Sequence, residues 1–95
     1  MKFDFRGKKA LITGGGSGLG EACAVPFAAS GADVLIADLL PERCEKVAEK
    51  VRAFGVKAIA YPVDVTKYFE VAAMYKKIVE EWGTVDFVVN SAGVC

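Results

Sequence analysis

Apolar residues along the 95-residue chain fall into blocks of two kinds that alternate. The first kind is a short continuous run: Ala10-Leu11-Ile12, Val34-Leu35-Ile36-Ala37, Ala58-Ile59-Ala60-Tyr61 and Phe87-Val88-Val89. Short apolar runs bounded by turn formers predict strands buried on both faces. Strands are therefore expected at 8–13, 33–37, 57–63 and 85–89.

The second kind is longer, with apolar positions three and four residues apart, which is the period of a helix with one buried stripe. The first helix is expected from Leu19 to Ser30, with Ala22, Cys23, Phe27 and Ala28 toward the sheet. Pro26 lies inside it, where it removes the bond to the carbonyl of Ala22, so a kink near 22–25 or a restart at Pro26 is expected. The second helix begins at Pro41, suited to a first helical turn, and carries Cys44, Val47, Ala48, Val51 and Phe54 as its stripe. The third is expected after Thr66 as N-cap, with Val71, Met74, Tyr75, Ile78, Val79 and Trp82 as core. Gly31, Gly55 and Gly83 end the three helices.

The order is βαβαβαβ. Right-handed crossovers turn that order into a parallel sheet with helices on both faces, a three-layer α/β sandwich. The expected strand order is 3-2-1-4, the first half of a doubly wound sheet, with residues 1–95 as a single, partial domain.

Composition agrees and excludes several function classes. The apolar fraction of 54% suits a sheet covered on both faces. Twelve basic residues balance twelve acidic ones, so nothing points to nucleic acid or to an anionic membrane as a partner. The first residues have no apolar core of signal-peptide length, and 34–40 is too short to span a bilayer. Cys23, Cys44 and Cys95 are widely spaced without a CxxC pair and read as reduced thiols of a cytoplasmic protein. There is no histidine, which excludes Ser-His and Cys-His catalysis and any His-containing metal site within the chain. No metal site is expected.

The densest chemical signal is Thr13-Gly14-Gly15-Gly16-Ser17-Gly18-Leu19-Gly20, between the first strand and the first helix. Glycines let the backbone turn with positive φ and let a ligand approach its N–H groups. The free N–H groups opening the helix, at the positive end of its dipole, favour an anion. A P-loop would need Gly-Lys-Ser/Thr, and this turn has no lysine. The spacing G-x-G-x-x-G fails too, because starting at Gly14 it puts Leu19 in the last glycine's place. The spacing T-G-x-x-x-G-x-G fits from Thr13 to Gly20.

Three further features fall at the carboxyl ends of strands, where doubly wound sheets bind ligands. Asp38 ends the second strand, 18 residues after Gly20. Asp64 follows the third, and Asn90-Ser91-Ala92-Gly93 follows the fourth. A carboxylate at Asp38 can accept hydrogen bonds from ribose hydroxyls and would repel an added ribose phosphate. No arginine stands in the glycine turn or at Leu39 or Leu40, so NAD is expected over NADP.

These four elements together resemble the short-chain dehydrogenase/reductase family over nearly the whole chain. The resemblance implies a Rossmann-like fold and hydride transfer between nicotinamide and an alcohol or carbonyl substrate. It implies cofactor contacts from Gly14, Ser17, Gly18, Leu19 and Gly20 at the pyrophosphate, and from Asp38 at the ribose. Asp64 and Val65 would contact the adenine, and Asn90, Ala92 and Gly93 would lie near the cofactor ribose. The family's Asn-Asn-Ala-Gly motif has Ser91 in place of its second asparagine here.

The family's acid/base tyrosine, in Tyr-x-x-x-Lys, has no match. Tyr61, Tyr68 and Tyr75 are followed four residues on by Val65, Ala72 and Val79, and all three precede the fourth strand. No catalytic residue is assigned. The chain is accordingly expected to be the dinucleotide-binding half of such an enzyme, inactive alone, with the substrate unspecified. The fourth strand would offer an apolar edge for self-association. Two other readings remain: a non-catalytic nucleotide-binding module, and a methyltransferase-like fold, against which the Thr13–Gly20 spacing and Asn90–Gly93 argue.

Overall fold

A computed structural model of the chain describes residues 4–14, 16, 18–64 and 66–90. The elements are β1 (Lys9–Thr13), α1 (Gly18–Ala29), β2 (Asp33–Asp38), α2 (Pro41–Arg52), β3 (Ala58–Pro62), α3 (Tyr68–Trp82) and β4 (Phe87–Asn90). The four strands form one parallel sheet in the order β3-β2-β1-β4, as expected. In register, Thr13 of β1 stands beside Ala37 of β2 on one side and Asn90 of β4 on the other.

Strand alternation divides the core in two. Ala10, Ile12, Val34 and Ile36 point to the face covered by α1 and α2, packing with Ala24, Ala28, Cys44, Val47 and Val51. Leu11, Leu35 and Ala37 point to the other face, against Met74 and Ile78 of α3. Burying each of Leu11, Ile12 and Ile36 completely contributes about 1.5–3 kcal/mol. On α1 the buried residues are Gly20, Ala24 and Ala28, four apart, so a ridge of small side chains lets the helix lie close on the sheet.

Several expectations are corrected. The α1 helix runs unbroken through Pro26. Both Ala22 and Pro26 are exposed, so the carbonyl that loses its donor lies on the water side of the helix. For the same reason Ala22 does not face the sheet; Ala24 does. Phe54 is not on the buried stripe of α2. The helix ends at Arg52, and bonds from the Phe54 and Gly55 amides to the carbonyls three residues back tighten the chain and turn Phe54 outward. On α3 the packed stripe is Val71, Met74, Ile78 and Trp82, whereas Tyr75 and Val79, one position further round, are exposed. Thr66 does not cap α3: Lys67 occupies the N-cap position, with no side-chain cap bond.

The segment before β1 is built into the fold. The Phe5 amide donates to the Ser30 carbonyl (2.6 Å). Its ring packs on Phe27 and Phe87, with centroids 5.7 and 4.9 Å away, and those two rings lie 5.1 Å apart. At the amino ends of the strands, Asp33 accepts the Lys57 amide (2.9 Å) and Asp86 accepts the Lys9 amide (2.8 Å). Each carboxylate satisfies a backbone donor that opens a strand or the residue before it.

Candidate functional site

The site lies at the carboxyl ends of β1, β2, β3 and β4, on either side of the point where the strand order reverses between β1 and β4. The chain leaves β1 through Gly14, at φ 70°, in the left-handed region open to glycine. Its amide donates to the Ala37 carbonyl (2.6 Å), tying the start of the turn to the end of β2. Gly18, Leu19 and Gly20 form the first turn of α1, at the positive end of the helix dipole, which suits an anion. Gly18 is exposed, and a Cβ there would meet nothing within 4 Å.

Asp38 is the centre of the arrangement. It is buried, and its Oδ2 accepts the Gly16 amide (3.0 Å) while Oδ1 accepts the Leu40 amide (3.2 Å). One carboxylate thus ties the glycine turn to the β2–α2 connection. Carboxylate hydrogen bonds to backbone N–H groups are among the stronger ones. Its turn role, satisfying the Leu40 amide, coexists with an orientation toward the glycine turn.

The glycine at position 16 is required by space. A Cβ there would stand 2.5 Å from the Cβ of Arg43 and 2.8 Å from Asp38 Oδ2. Arg43, in the first turn of α2, therefore packs its Cβ against the glycine turn. Sequence reading missed it, because five residues separate it from Asp38 along the chain while the helix turn brings it back in space. The first-turn position after Pro41 was the available signal.

Under Asp38 lies Cys44. Its thiol is 3.7 Å from the Asp38 carbonyl and 3.9 Å from that of Tyr61. Burial, reinforced by the charge of Asp38, pushes the thiol up to about 11.

Asp64 follows β3. Its Oδ1 accepts both the Thr66 amide (3.0 Å) and the Thr66 hydroxyl (2.6 Å), and its own amide donates to Glu70 (3.3 Å). The Thr66 bonds hold the carboxyl below its usual range. Asp64 thus closes an Asx turn leading into α3.

On β4, the Thr13 hydroxyl donates to Asn90 Oδ1 (3.0 Å), with the Val89 carbonyl 3.3 Å away as a second acceptor. This fixes the Asn90 side chain across the switch point. Gly14, Gly18, Leu19, Gly20, Asp38, Asp64 and Asn90 are all brought to one end of the sheet. Ser17, Val65, Ala92 and Gly93 lie outside the described residues.

Among the described residues no group of three or more Cys, Asp or Glu could hold a metal ion. No helix among them is long and apolar enough to cross a membrane.

The chain was compared with known proteins. The model of the short chain dehydrogenase family matches residues 8–95. The uncharacterized oxidoreductase YxjF of Bacillus subtilis is 44% identical over 89 residues, covering 94% of this chain and 35% of that protein. The 5-keto-D-gluconate 5-reductase of Escherichia coli is 37% identical over 92 residues, covering 97% and 36%. Among solved structures, L-sorbose reductase from Gluconobacter frateurii, complexed with NADPH and L-sorbose, superposes with a TM-score of 0.91 at 34% identity, covering 99% of this chain and 36% of that one. NAD+-bound xylitol dehydrogenase gives 0.86 at 36% identity, covering 88% and 32%. The chain spans about a third of the length of these relatives. With the family model matching nearly its whole length, the chain belongs to the short-chain dehydrogenase/reductase family, and what it holds of that fold is the four-stranded portion bearing the glycine turn.

Proposed function

We propose that residues 1–95 are a partial domain forming the dinucleotide-binding half of an NAD-dependent oxidoreductase acting on an alcohol or carbonyl substrate. The single observation that carries this reading is the buried Asp38 carboxylate bonded to the Gly16 amide. It puts an acceptor suited to ribose hydroxyls beside a glycine turn suited to a pyrophosphate. The residues present fit the adenosine half of a dinucleotide: a glycine turn that packs too closely on Arg43 and Asp38 for a Cβ at position 16, and a carboxylate held at the strand end. When bound, the nicotinamide would supply the hydride acceptor or donor.

Within that reading, Gly14, Ser17, Gly18, Leu19 and Gly20 line the pyrophosphate, the Gly14 amide itself being held by the Ala37 carbonyl. Asp38 orients the adenosine ribose, and Asp64 with Val65 borders the adenine. Asn90, braced by Thr13, leads into Ala92 and Gly93 beside the second ribose. Of the structural relatives, one is NAD+-bound and another is complexed with NADPH, so likeness supports a dinucleotide without choosing between them. Asp38 favours NAD, because its charge opposes a 2′-phosphate. Residues 1–95 contain no Tyr-x-x-x-Lys, so the chain alone is read as lacking turnover. Among the described residues β4 pairs with β1 only, and Val88 is exposed, which supports self-association through the β4 edge. The unpaired thiols of Cys23 and Cys44 fit a cytoplasmic setting.

Calorimetric titration with NAD, NADP and S-adenosylmethionine tests this. Binding of NAD ahead of the other two is expected. Binding of S-adenosylmethionine without NAD would overturn the reading in favour of a methyltransferase-like site.

A further inference from the structure

No residue of β4 is buried, whereas Ala10–Thr13 of β1 and Val34–Asp38 of β2 all are. Among the described residues β4 pairs on one side, with β1. Elements with few buried apolar contacts and an open ladder edge are those that open locally, below the cost of global unfolding. The strand is nevertheless gripped at its amino end. Phe27 and Phe87 pack on the core face that carries Ala10 and Ala24, and the Phe5 ring lies against both. Its centroid is 4.9 Å from that of Phe87, closer than Phe27 and Phe87 are to each other (5.1 Å).

The segment that carries Phe5 is fastened to a different place, the connection between α1 and β2. The Phe5 amide donates to the Ser30 carbonyl (2.6 Å), and the Lys8 amide returns to the Phe5 carbonyl (2.9 Å). Gly31, at φ 97°, lets Arg6 lie on the backbone there: a Cβ would stand 2.8 Å from Arg6 Cγ and 3.3 Å from the Arg6 backbone nitrogen. Asp4, Arg6, Gly7 and Lys8 are exposed and Phe5 is half-buried, so an outlying strap turns one ring inward onto β4.

We infer that residues 4–8 form a latch on β4: Phe5, anchored through Ser30 and Gly31, holds Phe87 and sets how often β4 leaves the sheet as a unit. The strand is four residues long, so release at its amino end frees all of it. Its other end carries the bond between the Thr13 hydroxyl and Asn90. Lifting the latch therefore takes Asn90 away from Thr13 and uncovers the edge of β1. The strap couples the amino end of the sheet to the switch point at its carboxyl end. No ligand enters this coupling, which holds whether or not a dinucleotide binds.

Native-state hydrogen exchange of the 95-residue chain, read amide by amide by NMR, tests the latch. Two sets of amides are compared. One is Asp86, whose amide donates to the Lys9 carbonyl (2.8 Å), together with β4; the other is β2, in the interior of the sheet. In the wild type the first set is expected to exchange faster than the second. Phe5→Ala is expected to speed exchange of the first set about tenfold, the scale of one aromatic contact, and to leave the second within about twofold. Made in a Phe87→Ala background, the same substitution adds nothing to β4 exchange, because the ring it acts through is gone. Phe5→Leu gives a smaller rise in the same amides and replaces Phe5→Ala, judged alike, if that variant does not fold; Phe87→Leu replaces Phe87→Ala in the same way. A rise shared equally by both sets overturns the latch, because Phe5 then contributes to stability at large. It is overturned as well by no rise in either set, by wild-type β4 amides as slow as those of β2, or by a Phe5→Ala effect that persists without the Phe87 ring.

Discussion

Oδ2 of Asp38 accepts the amide hydrogen of Gly16 at 3.0 Å, across 22 residues of chain. The bond joins the turn after β1 to the end of β2, so the glycine turn and the strand-end carboxylate are one mechanical unit. Substituting Gly16 tests that unit. In Gly16→Ala the new methyl would meet Arg43 Cβ at 2.5 Å and Asp38 Oδ2 at 2.8 Å. The turn must shift, at a cost of about 1–3 kcal/mol. Urea unfolding is expected to show the loss as a lower midpoint with unchanged slope.

Thr13 and Asn90 make the corresponding link on the other side of β1. Thr13→Val keeps the side-chain shape and removes the hydroxyl that donates to Asn90 Oδ1 (3.0 Å). The expected cost is about 1 kcal/mol, with Thr13→Ser retaining most of the bond. A loss in the serine variant with none in the valine variant would show that the methyl group, rather than the hydroxyl, carries the contribution.

The acid limb of stability should depend on Asp64. Its folded carboxyl is held below its ordinary value of 3.8 by the Thr66 hydroxyl and amide. A carboxyl depressed in the folded state contributes stability that is fully present above its unfolded value and is lost as pH falls through the folded one. Stability profiles of the wild type and Asp64→Asn are therefore expected to converge as pH drops below about 3.8 and to run parallel above it. A difference that persists unchanged to pH 2 would contradict the assigned bonds.

Cys44 should be inert. With the thiol raised from 9.0 to about 11, its thiolate fraction near neutral pH is about a hundredfold below that of an ordinary cysteine. Iodoacetamide labelling of the folded chain, followed by peptide mass analysis, is expected to leave Cys44 unmodified until the chain is unfolded. A thiol raised in the folded state contributes stability present below pH 9.0, which is lost as pH rises through about 11.

The strand order, and the gathering of the candidate residues at one end of the sheet, were legible in the sequence because both rest on local signals: four apolar runs, helical spacing between them, and a glycine turn. What escaped depended on contacts distant in sequence. Phe5 lies before the first expected strand, yet it packs on Phe27 and Phe87, and no periodicity in so short a segment could show that. Tyr75 and Val79 carry the right spacing for a core, but the sheet surface beneath α3 reaches only Val71, Met74, Ile78 and Trp82. Thr66 has the chemistry of an N-cap, but its hydroxyl donates to Asp64 instead of accepting from the helix. Arg43 was hidden for the same reason as Phe5: its contact with Gly16 joins positions far apart in the chain.

The most direct test of the central claim is a titration of the isotope-labelled chain with NAD, followed through its amide signals. Binding at the proposed site shifts the amides of Gly14, Gly16, Gly18, Leu19, Gly20, Asp38, Asp64 and Asn90 together, and Asp38→Ala weakens the affinity about tenfold, as loss of hydrogen bonds to a charged acceptor requires. Shifts confined to other surfaces, or an affinity for NAD that Asp38→Ala leaves unchanged, would contradict it.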